Sequence, residues 1–408
     1  MAVGEEGDHT TDTLSLSPVP LTQAEPILPT AAPAATRPGE RWPLPDLLRG
    51  VAILGILCVN MQDFAGYDEW TQFGPDRAAQ VLIDVLFNGK FISLFAMLFG
   101  AGMLTIAQRA GGQNPGGRKL GGWRLLRRLL WLLLLGSAHF VLVWHGDIIS
   151  LYAVLGLILL LPLLTRPPAW ALATGGAGLC LWWLALRVQD ALRASSGARF
   201  SFGLTLPPDT AWTDLLRQRL FSFPGDLYGG ADYNLQWLLG LLLLGMAAQQ
   251  CGVLARPERF RPLLWGLLAG GALLGLPLGG VLAWLNTRTS EAAGLWEVPV
   301  RLSGGLLLGL GYAGAMGLLV AAGRSGWLKV FAAPGRLALS NYLAQSLVMT
   351  TLFYPYGFGL YGRLGALPCL LLALGLGGLQ LWLSGRMLRR YRQGPMEWLL
   401  RRLVYGRK

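Results

Sequence analysis

The chain has 408 residues, of which 53% are hydrophobic and only 14% charged, and it carries a formal net charge of +12. An ordinary soluble domain holds nearer a quarter charged residues, so this composition excludes one and points to a polytopic membrane protein. The basic excess does not argue for nucleic acid as a partner, because Lys and Arg fall in short clusters between apolar runs, as the positive-inside rule requires.

Residues 1 to 44 are rich in Pro, Thr, Ala and Ser and lack a long apolar run, so a disordered cytoplasmic tail is expected there. The tail opens with Glu5, Glu6 and Asp8 rather than with basic residues ahead of an apolar stretch, so it does not read as a secretory signal. From residue 45 to about 390, runs of roughly 18 or more mostly apolar residues predict an all-α bundle of about ten transmembrane helices. Their centres fall near Leu54, Phe95, Leu135, Leu157, Cys180, Leu242, Leu274, Leu310, Leu347 and Leu374. An even number puts both termini on one side. The tail, the even-numbered loops and the C-terminus hold most of the Lys and Arg, which makes that side the cytoplasm.

The first span, RWPLPDLLRGVAILGILCVNMQDF, is interrupted by Arg49 near its start and Asn60 near its end. On a helix Arg49, Ile53, Ile56 and Asn60 form one stripe, with the cation and the amide about 16 Å apart. A guanidinium facing lipid is costly, so the stripe should look into protein or a water-filled cavity. The second span, Val81 to Ala107, carries Asp84, Asn88 and Lys90, and Asn88-Gly89 could loosen it. The basic, Gly-rich loop from Arg109 to Arg128 reads as a topology anchor at an anionic surface rather than as a phosphate site.

The third and fourth spans form a hairpin with Trp144-His145-Gly146-Asp147 at its outer tip and His139 about two turns inward. His139 is either a buried histidine bonded to a neighbouring helix or a working ionisable group, with Asp147 close enough in sequence to reach one of the histidines. A long extracytoplasmic loop, 187–233, should follow the fifth span, broken at Pro207-Pro208 and Pro224-Gly225. Within it AWTDLLRQRLFSF could lie along the outer interface, and a lid is the functional version of such a loop.

In the middle spans, Gly271, Gly275 and Gly279 and then Gly305 and Gly309 have the spacing of close helix packing. The ninth span opens with Arg336 and places Asn341 and Gln345 one turn apart. These amides are interhelical glue or the lining of a polar cavity, and the gathering of carboxamides and hydroxyls in one span tilts the reading to the cavity. Residues 391–408 should form an amphipathic cytoplasmic segment, with Trp398 and Leu399 dipping into lipid. Cys58, Cys180, Cys251 and Cys369 sit in different predicted helices without metal-ligand spacing; they read as packing residues, and no metal is expected.

The strings DLLRGVAILGILCVNMQ, FNGKFISLFAMLFGAG, GDIISLYAVLG, GRLALSNYLAQSL and GPMEWLLRRLVYG, in that order from about Pro45 to the end, resemble the YeiB-like family of bacterial inner-membrane proteins, domain of unknown function 418. The resemblance implies a multi-pass protein of the bacterial inner (plasma) membrane. The first string also resembles the opening helix of transmembrane acyltransferases, namely heparan-alpha-glucosaminide N-acetyltransferase and the type 3 acyltransferases. In the type 3 enzymes an Arg is followed, after ten intervening residues, by a His; here those positions are Arg49 and Asn60. The heparan enzyme has Arg then Asn, with its catalytic His in the next outer loop, whereas Gly66 to Gln80 here contains no His. The resemblance therefore implies Arg49 and Asn60 as cavity residues and leaves the base unassigned.

Three functions fit these residues. In the first, acyl-CoA is a cytoplasmic co-substrate and the acceptor is an envelope glycan or lipid beyond the bilayer. Such chemistry needs an anchor for CoA phosphates, a base and oxyanion donors, which Arg49, His139 oriented by Asp147, and Asn60 or Asn341 would supply. In the second, Arg49, Asp84, Lys90 and His139 line a path for a small polar solute, although no second copy of DLLRG marks an inverted repeat. In the third, the protein is a non-catalytic membrane adaptor. Arg336, Asn341 and Gln345 join Arg49, Asn60, Asp84 and Lys90 as candidate substrate-binding residues.

Overall fold

The computed structural model describes Met1 and residues 43–109, 115–164, 167–193, 206–207 and 210–406. The expected disorder of the N-terminal tail lies outside the described residues. Fourteen α-helices follow in order among the described residues: α1 Pro43–Ala65, α2 Gly74–Leu86, α3 Lys90–Arg109, α4 Pro115–Leu142, α5 Ile149–Leu164, α6 Ala169–Leu192 and α7 Trp212–Cys251. Then come α8 Arg261–Gly270, α9 Leu276–Leu285, α10 Glu291–Ala321, α11 Ala332–Arg336, α12 Ala338–Phe353, α13 Ala366–Arg390 and α14 Pro395–Tyr405.

Nine of the ten expected span centres fall inside these helices, and the tenth, Leu274, falls in the π-helical turn Gly271–Gly275 that joins α8 to α9. Among the described residues seven stretches are long and apolar enough to cross a bilayer, and Ile149–Leu160 and Leu235–Cys251 are shorter apolar helices. The ninth expected span is α12, of 16 residues. Large apolar side chains such as Leu134, Trp182, Leu273 and Trp382 are exposed around the outside, as lipid-facing residues must be. The protein is a multi-pass helical membrane protein.

Helix α1 stands at the centre, with α3, α10, α11, α12 and α13 around it. Its sequence is apolar on nearly every face, which only a helix enclosed by protein or lipid tolerates. Two glycines seat α11 directly on its first turns: a Cβ on Gly50 would lie 1.8 Å from the Phe331 carbonyl oxygen, and one on Gly335 would lie 1.8 Å from that of Asp46. Backbone contact that close admits hydrogen alone, and it brings Arg336 alongside Arg49.

The second span is broken where Asn88-Gly89 predicted weakness. Gly89 takes φ +80°, the left-handed region open to glycine, and packs on the Arg301 carbonyl of α10.

The outer segment departs further from expectation. Its part from Trp212 onward is not a loop but the start of the continuous 40-residue α7, with Pro224 inside it. At 1.5 Å per residue that is about 60 Å, roughly twice the hydrocarbon thickness. The first half, including Trp212, whose indole nitrogen donates to the Leu142 carbonyl at the end of α4, therefore covers the end of the bundle beyond the apolar 235–251 stretch. Leu215 and Arg219 of this half are buried, while its exposed face carries Leu220 and Phe221 beside the polar Asp214, Arg217 and Gln218.

At the opposite end, α14 docks on α4 and α12. The Arg127 guanidinium donates to the Leu403 carbonyl at 2.7 Å, and Glu397 accepts from the Ser340 amide at 3.0 Å and the Ser340 hydroxyl at 2.5 Å. Leu400 and Val404 face the bundle, whereas Trp398 and Leu399 are exposed, as the amphipathic pattern predicts. This end, which carries α14 and the first turns of α1, is the inner end below. Cys58, Cys180 and Cys369 are buried as packing residues, but Cys251 is exposed at the close of α7.

Candidate functional site

A cavity of about 410 Å³ opens at the inner end between α1, α3, α4, α5, α11, α12 and α14. Three guanidinium groups line it, Arg49 from α1, Arg128 from α4 and Arg336 from α11, with Asp46 and Glu397 as the carboxylates. Both carboxylates are engaged: Asp46 pairs with Arg49 at 3.4 Å, and Glu397 caps α12 through Ser340. The polar part of the cavity is therefore net cationic. Its remaining walls are mostly apolar and aromatic, from residues such as Ile53, Ile56, Phe95, Phe99, Leu132 and Tyr152, with Thr105 and Gln249 as polar exceptions. A cationic part beside apolar walls suits an amphiphile with an anionic head, and the volume lies within the range of about 300–1,000 Å³ usual for small-molecule sites.

Three of the four residues of the stripe read on the first helix face the cavity. Arg49, Ile53 and Ile56 line the cavity, whereas Asn60, one turn further along α1, is not among the lining residues. Arg49 points across to α3, where Gly102 leaves room for it: a Cβ there would touch the guanidinium at 3.6 Å.

Tyr342 of α12 and Ile148 link the cavity to the α4–α5 tip. The Tyr342 hydroxyl accepts from the Ile148 amide and donates to the Gly146 carbonyl, each at 3.4 Å. Its ring centroid is 5.4 Å from that of His139. His139 is buried, and its Nδ1 lies 2.9 Å from an Asp147 oxygen. The second Asp147 oxygen accepts from the Ser150 amide and hydroxyl, both at 2.8 Å. Nδ1–H donation to the carboxylate leaves the buried Nε2 with a lone pair, and this atom has no hydrogen-bond partner. His139 is thus a buried histidine bonded to Asp147, an arrangement common to both readings of the pair.

Other candidate residues serve the scaffold. Asp84 accepts from Gln80, Asn88 and Asn286, and the Lys90 ammonium donates to the Asp84 carbonyl at 2.5 Å, tying the α2–α3 break to the end of α9. Neither Asp84 nor Lys90 lines the cavity. Asn341 and Gln345 are interhelical glue rather than cavity lining: Asn341 donates to Ser384, Gln345 donates to Gln380 at 2.7 Å and to the Ile53 carbonyl, and Gln380 donates to the Asn341 carbonyl. Buried amides must find partners, and here α1 and α13 supply them before any ligand does.

A second polar cluster, at the outer end, was missed in the sequence. Asp63, at the far end of α1, accepts from the Trp144 indole at 2.7 Å and lies 3.3 Å from His145 Nε2. Arg219 of α7 sits over the Tyr354 ring, 5.4 Å from its centroid. The signal for Asp63 and His145 was present, since both lie next to span ends. Arg219 and Arg128 gave none, because each reads as one more basic residue in a basic stretch. Among the described residues no group of three or more His, Cys, Asp or Glu is placed to hold a metal ion.

Residues 248–407 match the family described as protein of unknown function (DUF418). The chain is 31% identical over 405 residues to uncharacterized protein YxaH of Bacillus subtilis (strain 168), covering 91% of this chain and 96% of the relative. It is 31% identical over 386 residues to uncharacterized protein YeiB of Escherichia coli (strain K12), covering 88% and 95%. A third relative, an uncharacterized 39.9 kDa protein in the amylase 3' region of Bacillus acidopullulyticus, is 26% identical over 383 residues. The chain belongs to the YeiB-like, DUF418 family.

Proposed function

We propose that this DUF418 family member is an acyltransferase of the bacterial inner membrane. It takes an acyl group from an acyl-CoA in the inner cavity and passes it to a hydroxyl or amine of an envelope glycan or lipid. The observation that carries the reading is the joining of two features: a cavity with three arginines and apolar walls, and a carboxylate-oriented histidine in ring contact with its Tyr342 wall.

In this scheme Arg49, Arg128 and Arg336 hold the CoA phosphates while the thioester arm runs along the apolar walls toward Tyr342. His139 Nε2 takes the proton from the acceptor as its oxygen or nitrogen attacks the thioester carbonyl. The tetrahedral oxyanion collapses, the carbon–sulfur bond breaks, and the departing thiolate recovers the proton from His139. Asp147 keeps the ring in the tautomer that makes Nε2 basic and stabilises the imidazolium that forms. Asn60, just beyond the cavity lining on the same stripe of α1, is the nearest candidate oxyanion donor on that helix.

The test uses purified full-length protein in lipid nanodiscs. Acetyl-CoA and longer acyl-CoAs should raise the thermal midpoint and release thiol when a polyol or amine acceptor is added. If acyl-CoA neither binds nor is cleaved, the reading fails. One observation favours solute transport as the second reading: α1 carries Arg49 in the inner cavity and Asp63 in the outer cluster, so polar groups occupy both ends of one helix. Uptake into proteoliposomes under a solute gradient, without acyl-CoA cleavage, would select it.

A further inference from the structure

Arg219 is a buried cation that makes no hydrogen bond. It is 3% exposed, and none of its three guanidinium nitrogens has a hydrogen-bond partner. The face of the Tyr354 ring lies beneath it at 5.4 Å, but a cation–π contact recovers only a fraction of what a guanidinium loses on leaving water. The nearby carboxylate is already committed, since Asp63 accepts from the Trp144 indole and pairs with His145. Asp226, the next acidic group on α7, is exposed.

Two more polar atoms of the same cluster are buried without partners: the Tyr354 hydroxyl and His145 Nδ1. Arg219 is within electrostatic reach of both Asp63 and His145, so these groups share one neighbourhood. Each can donate a hydrogen bond: guanidinium N–H, phenol O–H, and, in the imidazolium form that the Asp63 carboxylate at Nε2 favours, His145 Nδ1–H. What the cluster lacks is an acceptor, and the uncompensated charge asks for a negative one.

We infer that Arg219, His145 and Tyr354 form a binding site at the outer end of the bundle for an oxyanion, the carboxylate or phosphate group of a ligand. The planar fork of an arginine fits two oxygens of such a group at once, which a halide ion does not offer. The site stands apart from the inner cavity and does not depend on acyl transfer; an envelope acceptor or a transported solute would meet it equally. Because the first half of α7 buries Arg219, the site lies beneath that helix.

The test measures thermal unfolding of the full chain in phosphatidylcholine nanodiscs, titrated with inorganic phosphate, acetate or chloride at equal ionic strength, and repeated in nanodiscs containing phosphatidylglycerol. Phosphate or acetate should raise the wild-type midpoint by several degrees if the group is carried by a soluble ligand. A rise with phosphatidylglycerol instead identifies a lipid headgroup. Arg219→Gln should abolish the response without lowering the ligand-free midpoint by more than about a degree, because it removes a buried charge that makes no hydrogen bond. Tyr354→Phe keeps the ring under Arg219 and should weaken apparent oxyanion affinity about threefold to tenfold. Chloride matching phosphate, no response to any oxyanion, or undiminished responses in both variants would overturn the site.

Discussion

The His139 imidazole is held through Nδ1 at 2.9 Å from an Asp147 carboxylate that is itself fixed by the amide and hydroxyl of Ser150. A base held this way is oriented before substrate arrives. His139→Ala should therefore lower acyl-CoA turnover by about 10²–10⁴-fold. Donor affinity should stay within about twofold, because in this scheme His139 meets the acceptor's proton rather than the CoA phosphates. Thiol release and calorimetric binding, measured side by side, check both halves. Turnover that survives the substitution removes His139 from the chemistry.

The arginines of the inner cavity should show the reverse pattern. Arg49→Gln and Arg128→Gln are each expected to weaken acyl-CoA binding by about tenfold or more, the scale of one charge-assisted hydrogen bond. The loss should shrink as salt is added, since high ionic strength already weakens partly exposed charge pairs. Equal affinities for wild type and both variants at low salt would detach the arginines from donor binding.

Gln345 joins α12 to Gln380 of α13 and to the Ile53 carbonyl of α1, and its own side chain does not line the cavity. Gln345→Leu should cost about 0.5–2 kcal/mol of stability, the range for interhelical hydrogen bonds in membrane proteins. Acyl-CoA affinity should not change. A binding defect with an unchanged thermal midpoint would return Gln345 to the site.

His145 sits in the turn between α4 and α5. Burial works against its charged form, but the charge and hydrogen bond of Asp63 outweigh burial and hold its pKa above the ordinary histidine value; Arg219 opposes this and Asp226 assists it. The folded protein thus binds this proton more tightly than the unfolded chain does. Its contribution to stability is complete below about pH 6.5 and is lost as pH rises through the folded value. Wild-type Tm should accordingly decline over that interval, with a flatter profile in His145→Gln. Parallel profiles for the two proteins would show that the Asp63 pair does not govern the dependence.

The Asp84 carboxylate takes three side-chain amide donors inside the scaffold. Asp84→Ala strands those amides and should destabilise the protein by about 3 kcal/mol, on the scale of breaking a buried polar network. Asp84→Asn should cost less, since it keeps one acceptor oxygen. The two variants are distinguished by their Tm values, and acyl-CoA affinity should match wild type in any fraction that folds.

The sequence alone determined the helical, multi-pass architecture, the position of every span centre and the family. Those properties follow from apolar run length and from motif order, which are local. It also determined that Arg49 faces a cavity, because an ion within an apolar helix has few affordable environments. Tertiary structure decided which polar residues meet. Asn341 and Gln345 looked like cavity lining until α13 presented Gln380 and Ser384 to them. Arg128 and Arg219 looked like topology charges until α4 and α7 turned them inward. A side chain's direction is set by the helix that packs beside it, and that pairing joins residues as far apart as Gln345 and Gln380, 35 positions, or Gln345 and Ile53, 292 positions, where no short stretch of sequence records it.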